Sequence, residues 1–143
     1  MEIKILKIDK SSAVPAPGTS GRGYSATFEC LLAKGQAVIV PAPGYEANLA
    51  VGRVIDVETT QERVANLRAL ATPIPECMTP LRAPGNYRVV GTVQVLYADG
   101  VAAIGVMGLS FLVSVPPQDL PTVMQGQKVQ FDLFGLSLWD TNL

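Results

Sequence analysis

Apolar residues along this chain recur mostly at every second position. Glu2 to Asp9 alternates, with Ile3 and Ile5 on one side and Lys4 among the polar positions, and the phase slips at Leu6. A two-residue period places side chains on alternate faces of a strand. By the same criterion strands are predicted over Tyr24–Leu32, Gln36–Val40 and Leu49–Val57. The second half gives five more, near Tyr87–Tyr97, Val101–Val106, Leu109–Val115, Lys128–Phe134 and Leu136–Trp139. Ile104, Val106, Leu109, Phe111, Val113 and Val115 fall on one predicted face, with Gly108 as the turn between two adjacent antiparallel strands.

The period changes once. Thr59-Thr60-Gln61-Glu62 fits a capping box, and Val64, Leu67, Leu70 and Ala71 follow at spacings of three and four. This pattern predicts one amphipathic helix over Thr60–Ala71. Pro73, Pro75, Pro80 and Pro84 then make residues 72–87 a connector, or a strap across a barrel.

Turn chemistry repeats. Val-Pro-Ala-Pro-Gly occurs at Val14–Gly18 and Val40–Gly44, and Ala-Pro-Gly recurs at Ala83–Gly85. Proline presets φ at the second position of a turn, and glycine accepts the positive φ that a type II turn needs next. Three turns feeding strands are predicted. Ser11–Gly23 reads as a loop, and Lys34-Gly35 as a further turn.

Composition adds a constraint. Of 143 residues, 48% are hydrophobic and only 16% charged, against about 25% charged in an ordinary domain. The surplus apolar surface points to a protein interface or a homo-oligomer. Net charge is −1, and no basic cluster follows Lys4, Lys7 and Lys10, which disfavours phosphate-driven nucleic-acid binding. Val101–Val115 carries no charge, but its 15 residues fall short of the about 20 a spanning helix needs. The first residues lack the apolar core of a signal peptide, and Cys30 and Cys77 form no disulfide framework. A cytoplasmic protein with two idle thiols is expected.

The chain has no histidine, which removes the commonest general base and metal ligand. Two isolated cysteines do not make a zinc site. Asp56 and Glu58 share one side of a strand at a spacing open to carboxylate catalysis, and a solvated strand edge accounts for them better. Pro17–Gly23 has the composition of a phosphate-cradling loop but lacks the lysine and the following helix. No enzyme activity, cofactor or metal is expected. Arg22 is the best contact for an anionic partner, and Trp139 is either a core residue or an interface anchor.

The five-strand rhythm of residues 88–139, with Gly91-Thr92-Val93 and Gly126-Gln127-Lys128-Val129 opening strands, resembles an OB-fold barrel. Gly35–Val40 and Val51–Ile55 resemble an SH3-like barrel. The OB resemblance implies a stacking platform on the second and third strands, where only Phe111 falls. The fold expected is mainly β, with small β-barrels. An SH3-like part spans residues 1–58, a helix and proline-rich connector 59–87, and an OB-like part 88–143, either separate or sharing one core. The function expected is a non-enzymatic binding or assembly module acting through protein–protein contacts. The alternative is an OB-type protein that binds single-stranded nucleic acid. Arg22, Phe111 and Trp139 are the candidate contact residues.

Overall fold

The computed structural model describes residues 1–31 and 33–142. Among them are β1 (Glu2–Ile8), β2 (Val14–Pro15), β3 (Arg22–Cys30), β4 (Ala33–Val40), β5 (Val54–Ala69), β6 (Cys77–Pro80), β7 (Tyr87–Leu96), β8 (Val101–Val106), β9 (Leu109–Ser114) and β10 (Lys128–Asp140). Two single-turn 3₁₀ segments, Glu46–Asn48 and Leu120–Thr122, complete the regular structure. Leu32, the end of one predicted strand, lies outside the described residues.

The strands form one 10-stranded sheet that folds back on itself. β1 pairs with β3 and β5, β3 with β4, β4 with β10, and β10 with β5. These pairings close a ring. Among the described residues only the β4–β10 pair is parallel. A second ring begins from the same β5–β10 ribbon and runs through β7, β8 and β9. It returns to β5 through side chains: Thr59 Oγ1 donates to the Ser110 carbonyl and Gln61 Nε2 to the Leu112 carbonyl, at 2.5 and 2.9 Å. These bonds occupy an edge that would otherwise offer free carbonyls to another strand.

β10 runs through both rings. Val129, Phe131 and Leu133 are buried in its first half, Leu136 and Leu138 in its second. The phase of burial changes between Leu133 and Leu136, at Gly135, whose φ is +71. There β10 also exchanges β7 for β4 as its neighbour. The sequence suggests two strands here, and the structure makes them one. The Leu81–Asn86 segment fills the gap between β7 and β4, with Gly135 N–H donating to Asn86 Oδ1 and Leu136 N–H to the Gly85 carbonyl.

The predicted helix over Thr60–Ala71 is absent; residues 60–69 belong to the 16-residue strand β5. The cause is a β-bulge. Opposite β10, Ala65 pairs with Asp132 and Arg68 with Gln130, so two β5 residues, Asn66 and Leu67, face one. Asn66 takes φ +58, which asparagine tolerates better than most residues. The extra residue brings Val64 and Leu67, three apart, against the same core. A helix-like spacing thus arises within a strand. Thr59, expected to cap that helix, spends its hydroxyl on β9.

Smaller departures have local causes. Lys34-Gly35 lies inside β4, not in a turn. A Cβ on Gly35 would sit 2.7 Å from the Tyr87 hydroxyl, which bonds both the amide and the carbonyl of Gln36. The strand expected over Leu49–Val57 begins only at Val54, after a turn with Gly52 at φ +86. The loop expected over Ser11–Gly23 holds β2 and the start of β3, and the connector 72–87 holds β6.

The three Ala-Pro-Gly turns form as predicted. Gly18, Gly44 and Gly85 have φ of 76, 81 and 82. In each turn the fourth residue's amide bonds the first residue's carbonyl: Thr19 to Ala16, Tyr45 to Ala42 and Asn86 to Ala83. Ile104, Val106, Leu109, Phe111, Val113 and Val115 are all buried on paired strands β8 and β9 or just beyond. The hydrophobic core is one cluster that draws on both rings, from Phe28, Ile39 and Leu49 to Phe111 and Phe131.

Candidate functional site

Two outer surfaces stand out. The first is a groove of about 590 Å³ over the outer face of β3 and β4. Its floor follows from strand alternation: Ser25 and Thr27 on β3 lie opposite Val38 and Gln36 on β4. One flank is Pro17 and another Pro84-Gly85, from the first and third Ala-Pro-Gly turns. Val51 and Ile8 add apolar surface, and Leu136 closes the side toward β10. One cation and one anion, Lys7 and Asp9, line the same end. Asp9 Oδ1 accepts from the Ser11 hydroxyl and amide, at 2.5 and 2.9 Å. These bonds hold the Asp9 carboxyl below its ordinary pKa. Among the described residues the groove has no aromatic lining.

The second surface is the outer wall of β7, β8 and β9. Val95 pairs with Ala103, and Ala103 with Leu112, so the three form one row across the strands. Val95 is 41% exposed, Leu112 60%, and Tyr97, two residues beyond Val95, 48%. The register slips between Val93 and Val95. That bulge lets Val93 face the core while Val95 faces out. Between Arg88 and Asp119 the only charged residue is Asp99, so the wall is nearly free of charge.

The residues singled out from sequence are dispersed. Arg22 is exposed at the start of β3, and its Nη2 donates to the Ala13 carbonyl at 2.8 Å. The Pro17–Gly23 loop around it closes on itself: the Thr19 and Gly21 amides bond Ala16 O and Thr19 Oγ1. Phe111 is fully buried, edge-on to Phe131 at 6.4 Å between ring centroids, and offers no surface to a partner. Trp139 is half-buried, with its ring against Gly21 and its indole Nε1 buried without a hydrogen-bond partner.

The acidic side chains with displaced pKa values serve the framework. Asp132 sits on β10 beneath Arg88, whose Nε donates to it at 3.0 Å, and Asn66 donates to its other oxygen at 2.9 Å. The Arg88 bond first, then Asn66, lowers its pKa. Glu76 accepts from the Met107 amide at the β8–β9 turn and from the Thr92 hydroxyl, and Lys128 lies 3.8 Å away. Burial pushes its carboxyl up, but these partners outweigh it and the net shift is downward. Asp56 pairs with the Met1 amino group at 2.8 Å and bonds Thr141, while Glu58 is exposed. Cys30 is buried, which raises its thiol pKa, and both cysteines are free thiols. Among the described residues no three His, Cys, Asp or Glu side chains group as metal ligands, and no helix is long and apolar enough to cross a membrane.

The fold and surfaces define a mainly β, antiparallel-sheet protein. Searches of protein families, curated proteins and solved structures give no match to this chain.

The sequence reading missed Val95, Tyr97 and Leu112, because outward apolar positions look like core positions in a run that is apolar throughout. It singled out the proline turns but had no means of bringing Pro17 and Pro84 together.

Proposed function

We propose that this chain is a non-enzymatic binding and assembly module that acts through protein contacts and associates with copies of itself. The outer wall of β7–β9 carries the reading. Val95 and Leu112, exposed on either side of the buried Ala103, form with Tyr97 an apolar patch of the kind that marks interaction surfaces. A second copy is the partner this wall suits best. A nearly uncharged face offers no charge pattern for a different protein to match, and two such faces meet without like-charge repulsion. The wall's remaining outward positions, such as Ser110 and Ser114, are small and permit close approach.

Light scattering coupled to size exclusion tests this. At tens of micromolar the wild type should show a mass above the 15.1 kDa monomer. Leu112→Glu should return it to the monomer without loss of folding. A wild type that stays monomeric sinks the self-association reading.

A second reading is binding of single-stranded nucleic acid by an OB-type barrel. What favours it, on a different part of the chain from the OB resemblance at residues 88–139, is the closed first ring, whose second and third large strands, β3 and β4, underlie the groove. OB-type barrels take ligands across those strands. The near-neutral lining and the missing aromatic platform weigh against it. Oligonucleotide binding that falls steeply with salt would support this reading; no binding at low salt would end it.

A further inference from the structure

We infer that the groove over β3 and β4 is a binding site for an uncharged, extended peptide segment of a protein partner. This rests on the protein-binding reading above but not on self-association, which uses the opposite ring.

The rigidity of the site comes first. Pro17 and Pro84 each occupy the second position of a hydrogen-bonded turn closed by a positive-φ glycine. Their rings are therefore fixed before any ligand arrives, which lowers the ordering cost of binding. Both turns are tied down further. A Cβ on Gly135 would lie 2.6 Å from Pro17 Cβ, so β10 packs directly under that ring. Gly85 carries the carbonyl that accepts the Leu136 amide. The groove thus has set walls on a sheet floor, and its volume falls in the range typical of ligand sites.

The lining selects the ligand class. The floor offers two hydroxyls and one carboxamide, from Ser25, Thr27 and Gln36. Among the described residues none of these side chains makes a side-chain hydrogen bond. Each can both donate and accept, as a peptide group requires, and the floor carries no cation to favour a phosphate or a carboxylate. Ser25 and Thr27 are two apart on a strand, roughly 7 Å. That is the repeat at which an extended peptide presents successive groups to one side. Val38, Val51, Ile8 and the proline rings supply contact for small apolar side chains between those groups. Lys7 and Asp9 cancel at one end, so a ligand of either net charge gains nothing there. The absence of aromatic rings removes the stacking that holds bases or sugars.

The test uses an end-blocked, fluorescein-labelled peptide, Val-Thr-Val-Pro-Val-Thr, and the full chain. Fluorescence anisotropy should show saturable binding. In ¹⁵N-labelled protein, amide shifts should centre on Ser25, Thr27, Gln36 and Val38. Val38→Asp, which places a charge on the floor, should weaken binding at least about tenfold, as should Thr27→Lys. Met124→Ser, outside the groove, should leave binding unchanged. Thermal melts identify any variant that fails to fold, and the other floor variant then decides. No saturable binding up to millimolar peptide overturns the inference. So does an undiminished affinity in both floor variants, or shifts centred elsewhere. Tighter binding of a twelve-nucleotide thymidine strand would assign the groove to nucleic acid. Shifts at the same four residues on concentrating the protein alone would assign it to a second copy. A mass above the monomer would in that last case survive Leu112→Glu, which separates association through the groove from association through the β7–β9 wall.

Discussion

The outer wall of β3–β4 and the outer wall of β7–β9 belong to two small rings built on the same ribbon, yet they present different chemistry. Their inner faces are alike, with Phe28 and Ile39 in one and Phe111 and Ile104 in the other, all fully buried. Outward, β3–β4 carries Ser25, Thr27 and Gln36 beneath two proline turns, and the surface is concave. Outward, β7–β9 carries Val95, Ala103 and Leu112 with no turn folded over them. The core requirement fixes every second residue in both walls. The other half of each strand is left free, and there the two rings diverge in chemistry.

The largest effect should come from the shared interior. Phe111→Ala should cost about 3–5 kcal/mol, read from urea unfolding. The buried cluster is continuous, so the unfolding transition should remain single. A variant that unfolds in two steps, with the first ring intact, would show that the rings are energetically separate. Next is the crossing point of β10. Gly135→Ala places a Cβ at positive φ, 2.6 Å from Pro17 and 2.9 Å from Glu62. A loss of about 2–3 kcal/mol is expected, against a negligible one if the strand were free to straighten there.

The bulge at Asn66 separates the strand from the helix that its spacing suggests. In a helix Asn66→Ala would stabilise. In the bulge it should destabilise by about 1–2 kcal/mol, because alanine resists positive φ and the bond to Asp132 is lost. Asn66→Gly, which keeps the backbone conformation, should cost less than Asn66→Ala. The reverse order would refute the bulge account.

A smaller effect appears in acid. The Arg88 hydrogen bond, then that of Asn66, depresses the folded pKa of Asp132. A depressed carboxylate contributes stability above its unfolded value of about 3.9 and loses it as pH falls through the lower folded value. Asp132→Asn should therefore reduce stability near neutrality and flatten the acid limb of a urea-midpoint profile. An unchanged profile would mean that the pair is screened by solvent around the half-exposed Arg88. Smallest of all is Ser114→Ala on the exposed face of β9, with an expected change within about 0.5 kcal/mol.

Much was legible locally. Two-residue alternation located β1, β3, β7, β8 and β9 to within a few residues, and Pro-Gly pairs located three turns, because φ preferences and face alternation depend on near neighbours. The burial of Ile104, Val106, Leu109, Phe111, Val113 and Val115 followed from the same rule. The helix over Thr60–Ala71 failed for a nonlocal reason: pairing with β10 outweighed the local pattern, and a single extra residue at Asn66 imitated a helical step. The split of β10 at Gly135 failed likewise, since a phase change in burial looks the same whether a strand stops or crosses between rings.

The sequence by itself determined that the protein is mainly β, where its three Ala-Pro-Gly turns lie, and that Ile104, Val106, Leu109, Phe111, Val113 and Val115 are driven inward. It held the Ala-Pro-Gly repeats but not their meaning. The tertiary structure alone decided that β5 and β10 serve both rings, that Phe111 is interior and unavailable to a partner, and that Pro17 and Pro84 face one groove. Those outcomes depend on which strands pair and in what register, and register is set by contacts between residues far apart in the chain. A pattern of near neighbours carries the pleat; only closure of the sheet decides what lies across from it.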